Sequence, residues 1–529
     1  MPENKPWWSD KGAWILLALF LFQFLISFRP DNLAWDGVYY YAYARSIIFD
    51  GDLHLEDDME LAYNITPAYD FAGAGFEEIG TRTGRVDSPF AIGAGLLWIP
   101  WFALIYGLAQ LATLFGIGPT PLTGFEWPFV WSMATVTAIY GWLSIFVAYR
   151  LVQEWASRRT AFLAAAVLMF VTPLWYYGFH EPFYAHPASA MTVALFVATW
   201  WRAVRDNDLS SNAALQLGAL GGLTALVRWQ NLAYMVLPLS TTLWAGWRAW
   251  KATDQRRLHT LTRYLLVIVV AALVVFSPQM AVWTLFYGRP WVIPQGTDFL
   301  DPRALWLPHV LLSPFHGLLL WMPVVIPALI GLIVLGRKNP ELGWPLAVAF
   351  LLQIFINSCV RDWFAGGGYG GRRFTNTLII LLIGYAMLLT RRGVQRTGAI
   401  ALGGLLVLHQ WVILRYGFAE RIGGRVIEMA PSYTWSADSP GTFLRQLAGY
   451  LPLVIRSPIE SIVLPGSPLD IGTPWSIMRQ LLLLAVVTGV LAFLSWGRDR
   501  LKRPLPWRWI AAGTGILIAL FDVWVLVCA

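Results

Sequence analysis

Along this chain the apolar positions do not alternate with polar ones. They come in long runs, separated by short polar or basic punctuation. Runs long enough to cross a bilayer as helices recur from end to end. They predict thirteen spans, at 13–28, 127–149, 161–176, 187–203, 212–227, 230–247, 264–285, 317–336, 343–360, 376–390, 397–414, 477–496 and 508–528. The fold class is therefore all-α, a polytopic transmembrane helical bundle. Residues 13–28 read as an uncleaved first span, because no small-residue cleavage site follows them. Between the first two spans lies a long polar segment with two amphipathic helical stretches, 36–49 and 54–64, which predict a folded first loop with juxtamembrane helices.

Charge decides the one ambiguous run, 90–117, which Pro100 interrupts and Pro119 follows. The basic clusters are Arg150 to Arg159, Arg248 to Arg263, Arg337–Lys338, Arg391 to Arg396 and Arg498 to Arg503. If 90–117 does not cross, all five fall on the cytoplasmic side with the N-terminus; if it crosses, all five lie outside. The positive-inside bias selects the first arrangement. The run then lies in, or re-enters, the outer leaflet as helices covered by protein, and 29–126 forms one extracytoplasmic loop. Three regions follow: a transmembrane region 1–414 containing that loop, an extracytoplasmic loop 415–475, and a C-terminal transmembrane hairpin 476–529.

Composition agrees. The 529 residues are 57% hydrophobic and only 13% charged, about half the charged share of a soluble domain at ~25%. Thirty Trp and twenty Tyr suit a protein with aromatic residues at both membrane interfaces. The net charge is +7, but it is uneven: residues 29–88 hold twelve acids and four bases, leaving +15 on the rest. The basic residues sit in short clusters between spans, which excludes a nucleic-acid surface. Cys359 and Cys528, far apart in apolar sequence, give no disulfide framework or thiolate metal site.

The candidate chemistry lies in the outward loops. Asp36, in Trp35-Asp36-Gly37-Val38-Tyr39-Tyr40-Tyr41, is a carboxylate just beyond the first span. It can serve as a general base, with Tyr39 and Tyr40 shaping a pocket, or as a helix N-cap. His180, Glu181 and His186 fall within seven residues, in a turn containing Pro182. They offer metal ligands without an established ligand spacing, or a polar interfacial loop. Arg228 stands between closely spaced spans on the outer side, where positive charge is disfavoured. A lipid phosphate, snorkelling or an acid in a loop would each account for it. The run Arg361 to Phe374 has five glycines in positions 366–371, then Arg372 and Arg373. Gly370 and Gly371 free the backbone to approach an anion, and the arginines favour phosphate; the alternative is a flexible hairpin resting on anionic lipid.

Taken in this order, these groups resemble the C-type integral membrane glycosyltransferases, among them the protein O-mannosyltransferases and the aminoarabinose transferase of lipid A. The resemblance rests on the acidic first loop with Asp36 near its start, the non-spanning helices before the second span, the Tyr176–His186 turn opening a span, and Trp363 with Gly370-Gly371-Arg372-Arg373-Phe374 before a later one. It implies a polyprenyl-phosphate-linked sugar donor, with transfer on the extracytoplasmic face of a bacterial inner membrane to a lipid, glycan or protein acceptor. Asp36 matches that family's catalytic carboxylate, although many members carry Asp-Glu where this chain has Asp36-Gly37. His180, Glu181, Arg228, Arg372 and Arg373 would line the substrate, and a divalent metal cofactor is left open. A polysaccharide polymerase or ligase, or a flippase for lipid-linked sugars, are the rival readings. A transporter usually keeps ionisable groups near the midplane, where this sequence has few.

Overall fold

The structure is a computed structural model. It describes residues 7–390, apart from 34, 66–82, 87, 298, 304, 313–315 and 367, together with 402–404, 406 and 407. The span expected at 397–414 is described only at 402–404, 406 and 407; those expected at 477–496 and 508–528, with the 415–475 loop and the 476–529 hairpin, lie outside the described residues.

Among the described residues the chain is helical, with one isolated bridge, Leu300 to Val360, and no strand. The first part comprises α1 (Lys11–Ser27), α2 (Asp36–Arg45), α3 (Leu55–Ile65), α4 (Gly93–Leu114), α5 (Trp127–Val152), α6 (Arg158–Val171) and α7 (Leu174–Phe179). Then come α8 (His186–Asp206), α9 (Ser211–Val227), α10 (Val236–Lys251), α11 (Gln255–Tyr287), α12 (Leu307–Leu312), α13 (Leu318–Trp321), α14 (Val325–Lys338), α15 (Pro340–Ser358) and α16 (Leu378–Leu389). Five helical stretches are long and apolar enough to cross a membrane: 93–114, 127–152, 255–287, 340–358 and 372–389.

Prolines account for the differences from the expected spans. The run 161–176 divides because Thr172 precedes Pro173 and is driven to the extended region, ending α6. The run 317–336 divides in the same way, at Met322 before Pro323. The run 230–247 opens as a 3-10 helix, Trp229–Met235, and 376–390 is preceded by another, Arg372–Thr377. By contrast, 90–117 is one continuous helix through Pro100 rather than several.

The bundle has two chemically distinct ends. At one, α1, α6, α9 and α11 begin, each capped by a side-chain oxygen: Asp10, Ser157, Ser210 and Asp254. Ion pairs tie the basic clusters together there. Arg205 meets Glu154 at 2.6 Å, Arg248 meets Glu341 at 2.8 Å, and Tyr149 and Gln153 bond Asp10. The opposite end carries α2, the 180–186 turn, Arg228 and the 361–373 loop; it is called the site end below.

Close helix packing holds these ends apart. A methyl group on Gly218 would overlap the Ile268 carbonyl, and one on Gly222 that of Ala272, so small residues four apart let α9 lie on α11. The first loop is bolted down at the site end. The Arg45 guanidinium reaches Asp58 at 2.5 Å and Asp50 at 2.8 Å, and donates to the Thr123 carbonyl at 2.7 Å. The Tyr41 hydroxyl donates to Gly124 O at 2.5 Å. Chain segments before and after α4 therefore touch at the same end of the bundle. Between them, the first half of α4 is packed through Trp98 and Phe102, whereas Leu104, Leu108, Leu111 and Leu114 are exposed.

Candidate active site at the site end

Three short helical starts converge on one cavity of about 590 Å³. Asp36 is the first residue of α2. Arg228 precedes the 3-10 turn 229–235, and Arg372 and Arg373 open the 3-10 turn 372–377. All four line the cavity, with Tyr40, His186 and Asp362.

Asp36 does not occupy the N-cap of α2. That position belongs to Trp35, whose φ of 49° and ψ of −128° are unusual for a residue with a side chain. Conformations of this kind cost on the order of 1–3 kcal/mol and persist where neighbouring structure enforces them. Here they deliver the Asp36 carboxylate to the cavity, where its Oδ2 lies 3.3 Å from Arg372 Nη1. Gly37 packs tightly on Phe183, so the residue after the carboxylate has no room for a second acid: an added Cβ would sit 2.7 Å from Phe183 Cβ.

The arginines differ in their partners. Arg372 lies over the Tyr184 ring at 5.3 Å besides facing Asp36. Arg373 bonds the Asp362 carboxylate at 2.5 Å and the Asp362 carbonyl at 2.8 Å. Arg228 contacts His186 Nδ1, which must accept, and Gln230 Oε1 at 3.4 Å. Among the described residues Arg228 forms no ion pair. Burial, reinforced by Arg373 and Arg372, pushes its guanidinium down to about 10, so it remains a cation at neutral pH.

The other residues singled out from the sequence lie around the cavity rather than on its wall. Tyr39 packs against Phe90 at 5.2 Å between ring centres. His180 stacks on Tyr176 at 5.3 Å, and burial then Arg29 lowers its pKa. Glu181 accepts from the Tyr176 hydroxyl at 3.3 Å, while its Oε2 is buried without a hydrogen-bond partner. Burial pushes Glu181 up to about 7, against the pull of Arg372. His180, Glu181 and His186 thus have separate partners, and among the described residues no three His, Cys, Asp or Glu gather to hold a metal.

The glycine run makes a tight turn beside the cavity, which Gly366 lines. Gly370 has φ 61° and leaves room for Trp321, and Gly371 sits beside Phe374. The Tyr369 amide, which an anion could have used, donates to the Tyr177 hydroxyl at 2.7 Å.

No protein-family profile matches the chain, and no curated protein does. Among solved structures, the fold is similar to ArnT. The crystal structure of ArnT from Cupriavidus metallidurans in the apo state shares 12% identity, at a TM-score of 0.47. The same protein bound to undecaprenyl phosphate shares 14%, at the same TM-score. Each match covers 98% of this chain and 76% of the other. The likeness is distant.

Behind the arginines lies a buried amide cluster that sequence reading missed. Asn376 Nδ2 donates to Asn231 Oδ1 at 2.6 Å and to Gln353 Oε1 at 3.3 Å. Asn231 in turn donates to Ser189 Oγ at 2.8 Å, and Gln230 Nε2 donates to the Arg373 carbonyl at 3.0 Å. These bonds join the Arg228 turn to the Arg372 turn. The available signal was three amides inside otherwise apolar runs, since buried amides need partners.

Proposed function

We propose that this protein is a membrane glycosyltransferase that moves a sugar from a polyprenyl-phosphate donor to an extracytoplasmic acceptor. The observation that carries this reading is Arg228, a cavity-lining cation with no ion-pair partner among the described residues, beside Arg372 and Arg373. A half-buried cation without a counter-charge beside it is costly, so the site suits an anion. The cavity wall continues into apolar side chains, Leu232, Ala233, Ile356 and Val360. A phosphate with a long hydrocarbon tail matches both surfaces.

In this reading Asp36 takes the proton from the acceptor hydroxyl or amine. The acceptor atom attacks the anomeric carbon, and the bond from that carbon to the phosphate oxygen breaks. Its electron pair leaves with polyprenyl phosphate, whose charge Arg228, Arg372 and Arg373 stabilise. Attack opposite the leaving group inverts the anomeric configuration. The setting is a bacterial inner membrane, with the basic end cytoplasmic and the site end outside.

Mass spectrometry of cell-envelope glycans from cells with and without the protein tests this. Loss of one sugar substituent, restored by the wild-type chain but not by Asp36→Asn, is the expected result. Unchanged envelope glycans together with no donor-lipid binding by purified protein would overturn it.

A further inference from the structure

The basic end carries a second cavity, of about 380 Å³, with no part in this chemistry. It lies among the last turns of α8 and α10 and the first turns of α11 and α15. Trp200, Trp244, Trp344 and Val348 give it apolar walls, and Arg248 and Arg257 stand at its mouth. Pro238 also lines it, ten positions from Arg248 on α10. At 1.5 Å per residue the cavity therefore runs roughly 15 Å along that helix.

Asp208 and Glu341 line the cavity with Arg248 and Arg257, so its own charges balance, and the surplus of cations lies in the segment beside it. Residues 248–263 hold five Lys and Arg against one acid, Asp254. Arg248 pairs with Glu341 at 2.8 Å, but the two side chains are 54% and 43% exposed, and pairs this open contribute little. Arg257 bonds only a neutral partner among the described residues, Asn207 Oδ1, at 3.3 Å. Aromatic rings flank the mouth: Arg248 lies over Trp244 at 5.8 Å, and Trp244 stacks on Trp247 at 4.9 Å. Tryptophan favours the membrane–water boundary, which places this mouth at headgroup level.

We propose that this cavity binds an anionic phospholipid of the leaflet at the basic end. One acyl chain fills the tryptophan-lined trench, and the phosphate and its anionic headgroup sit between Arg248 and Arg257. An apolar trench opening into a membrane is filled by lipid, and the paired arginines select its charge. A zwitterionic lipid fits the same trench but gains less from two cations.

The full-length protein, purified from vesicles of mixed dioleoyl phosphatidylglycerol and dioleoyl phosphatidylethanolamine, is examined by native mass spectrometry for retained lipid. Wild type is expected to retain phosphatidylglycerol preferentially. Two cations at about 1 kcal/mol each correspond to roughly thirtyfold, so Arg248→Ala/Arg257→Ala should lose a preference of about that size. The single Arg257→Gln, at an exposed side chain, should lose about fivefold. Arg289→Ala, exposed beyond the other end of α11, should change nothing. Equal retention of the two lipids by wild type, a preference that survives the double substitution, or the same loss in Arg289→Ala would each overturn the proposal.

Discussion

The Asp36 carboxylate faces the Arg372 guanidinium across 3.3 Å. In the proposed reaction these two groups act on opposite partners, the acceptor proton and the donor phosphate. Without donor they satisfy each other; donor phosphate competes for Arg372 and leaves Asp36 free to accept a proton. Asp36→Asn should therefore abolish transfer, since general-base catalysis contributes on the order of 10²–10⁴-fold. It should leave undecaprenyl phosphate binding intact or slightly tighter, because Arg372 loses its competitor. Helix capping does not confound the test, as Trp35 holds that position. Near-full turnover by Asp36→Asn would sink the general-base role.

The arginines should separate by substitution. Arg228→Ala removes a cation that has no ion pair to lose among the described residues, so its effect falls on the ligand. Arg372→Lys keeps charge but removes the planar fork. A charge-assisted bond contributes about 1.5–3 kcal/mol, so each change should weaken binding of undecaprenyl phosphate roughly ten- to a hundredfold. Titration of purified variants in detergent measures this, and unchanged affinity in both would leave these arginines as loop anchors.

How much of this was legible in the sequence depends on distance along the chain. Arg228, Arg372 and Arg373 stood out as cations beside apolar runs on the side where positive charge is disfavoured, and Asp36 as a carboxylate just beyond the first span. The helices of the first loop were visible in their periodicity, and α2 with α3 fall close to the expected 36–49 and 54–64. What sequence could not give was pairing across the fold. Asp362 as the partner of Arg373, and Asn231 with Asn376, 145 positions apart, become neighbours only once α8, α9, α15 and α16 are packed. Tyr39 was chosen as a neighbour of Asp36, and His180 and Glu181 as members of a His/Glu cluster; the side chains of all three pack beside the cavity.

Glu181 gives a pH signature with a definite sign. Its pKa is raised from 4.5 to about 7, mainly by burial. A carboxyl raised in the folded state contributes stability that is full below its unfolded pKa and is lost as pH rises through the folded one. Wild type should therefore lose stability between about pH 4.5 and 7 through this group. Glu181→Gln lacks that loss, so the variant's Tm relative to wild type should rise from pH 5 to pH 8. A Tm difference that stays flat across this range would show that Glu181 ionises freely.

Arg45 is expected to be the structural fastener of the first loop. It holds Asp58, which is fully buried and pushed up to about 7 by its burial despite Arg45. Removing one partner of a buried ion pair costs about 3–5 kcal/mol. Arg45→Ala should accordingly lower Tm and speed amide exchange in α2 and α3, while exchange in α14 and α16 at the far side of the bundle changes little. Uniform protection in both regions would remove Arg45 from this role.

The membrane disposition of α4 follows from contacts on either side of it. Before it, Tyr41 and Arg45 belong to the first loop; after it, Gly124 and Thr123 lead into α5. Tyr41 bonds Gly124, and Arg45 bonds Thr123. A helix that crossed the bilayer would leave its flanks on opposite sides, too far apart for either bond, since the hydrocarbon core is ~30 Å thick. On this disposition the exposed leucines of α4 would face lipid within one leaflet, and the basic clusters would share the other side. Reporter fusions at positions 75 and 120 should both report the extracytoplasmic side. Opposite signals from the two would require α4 to cross, would break the two bonds that join its flanks, and would reverse the orientation on which the outward-facing site depends.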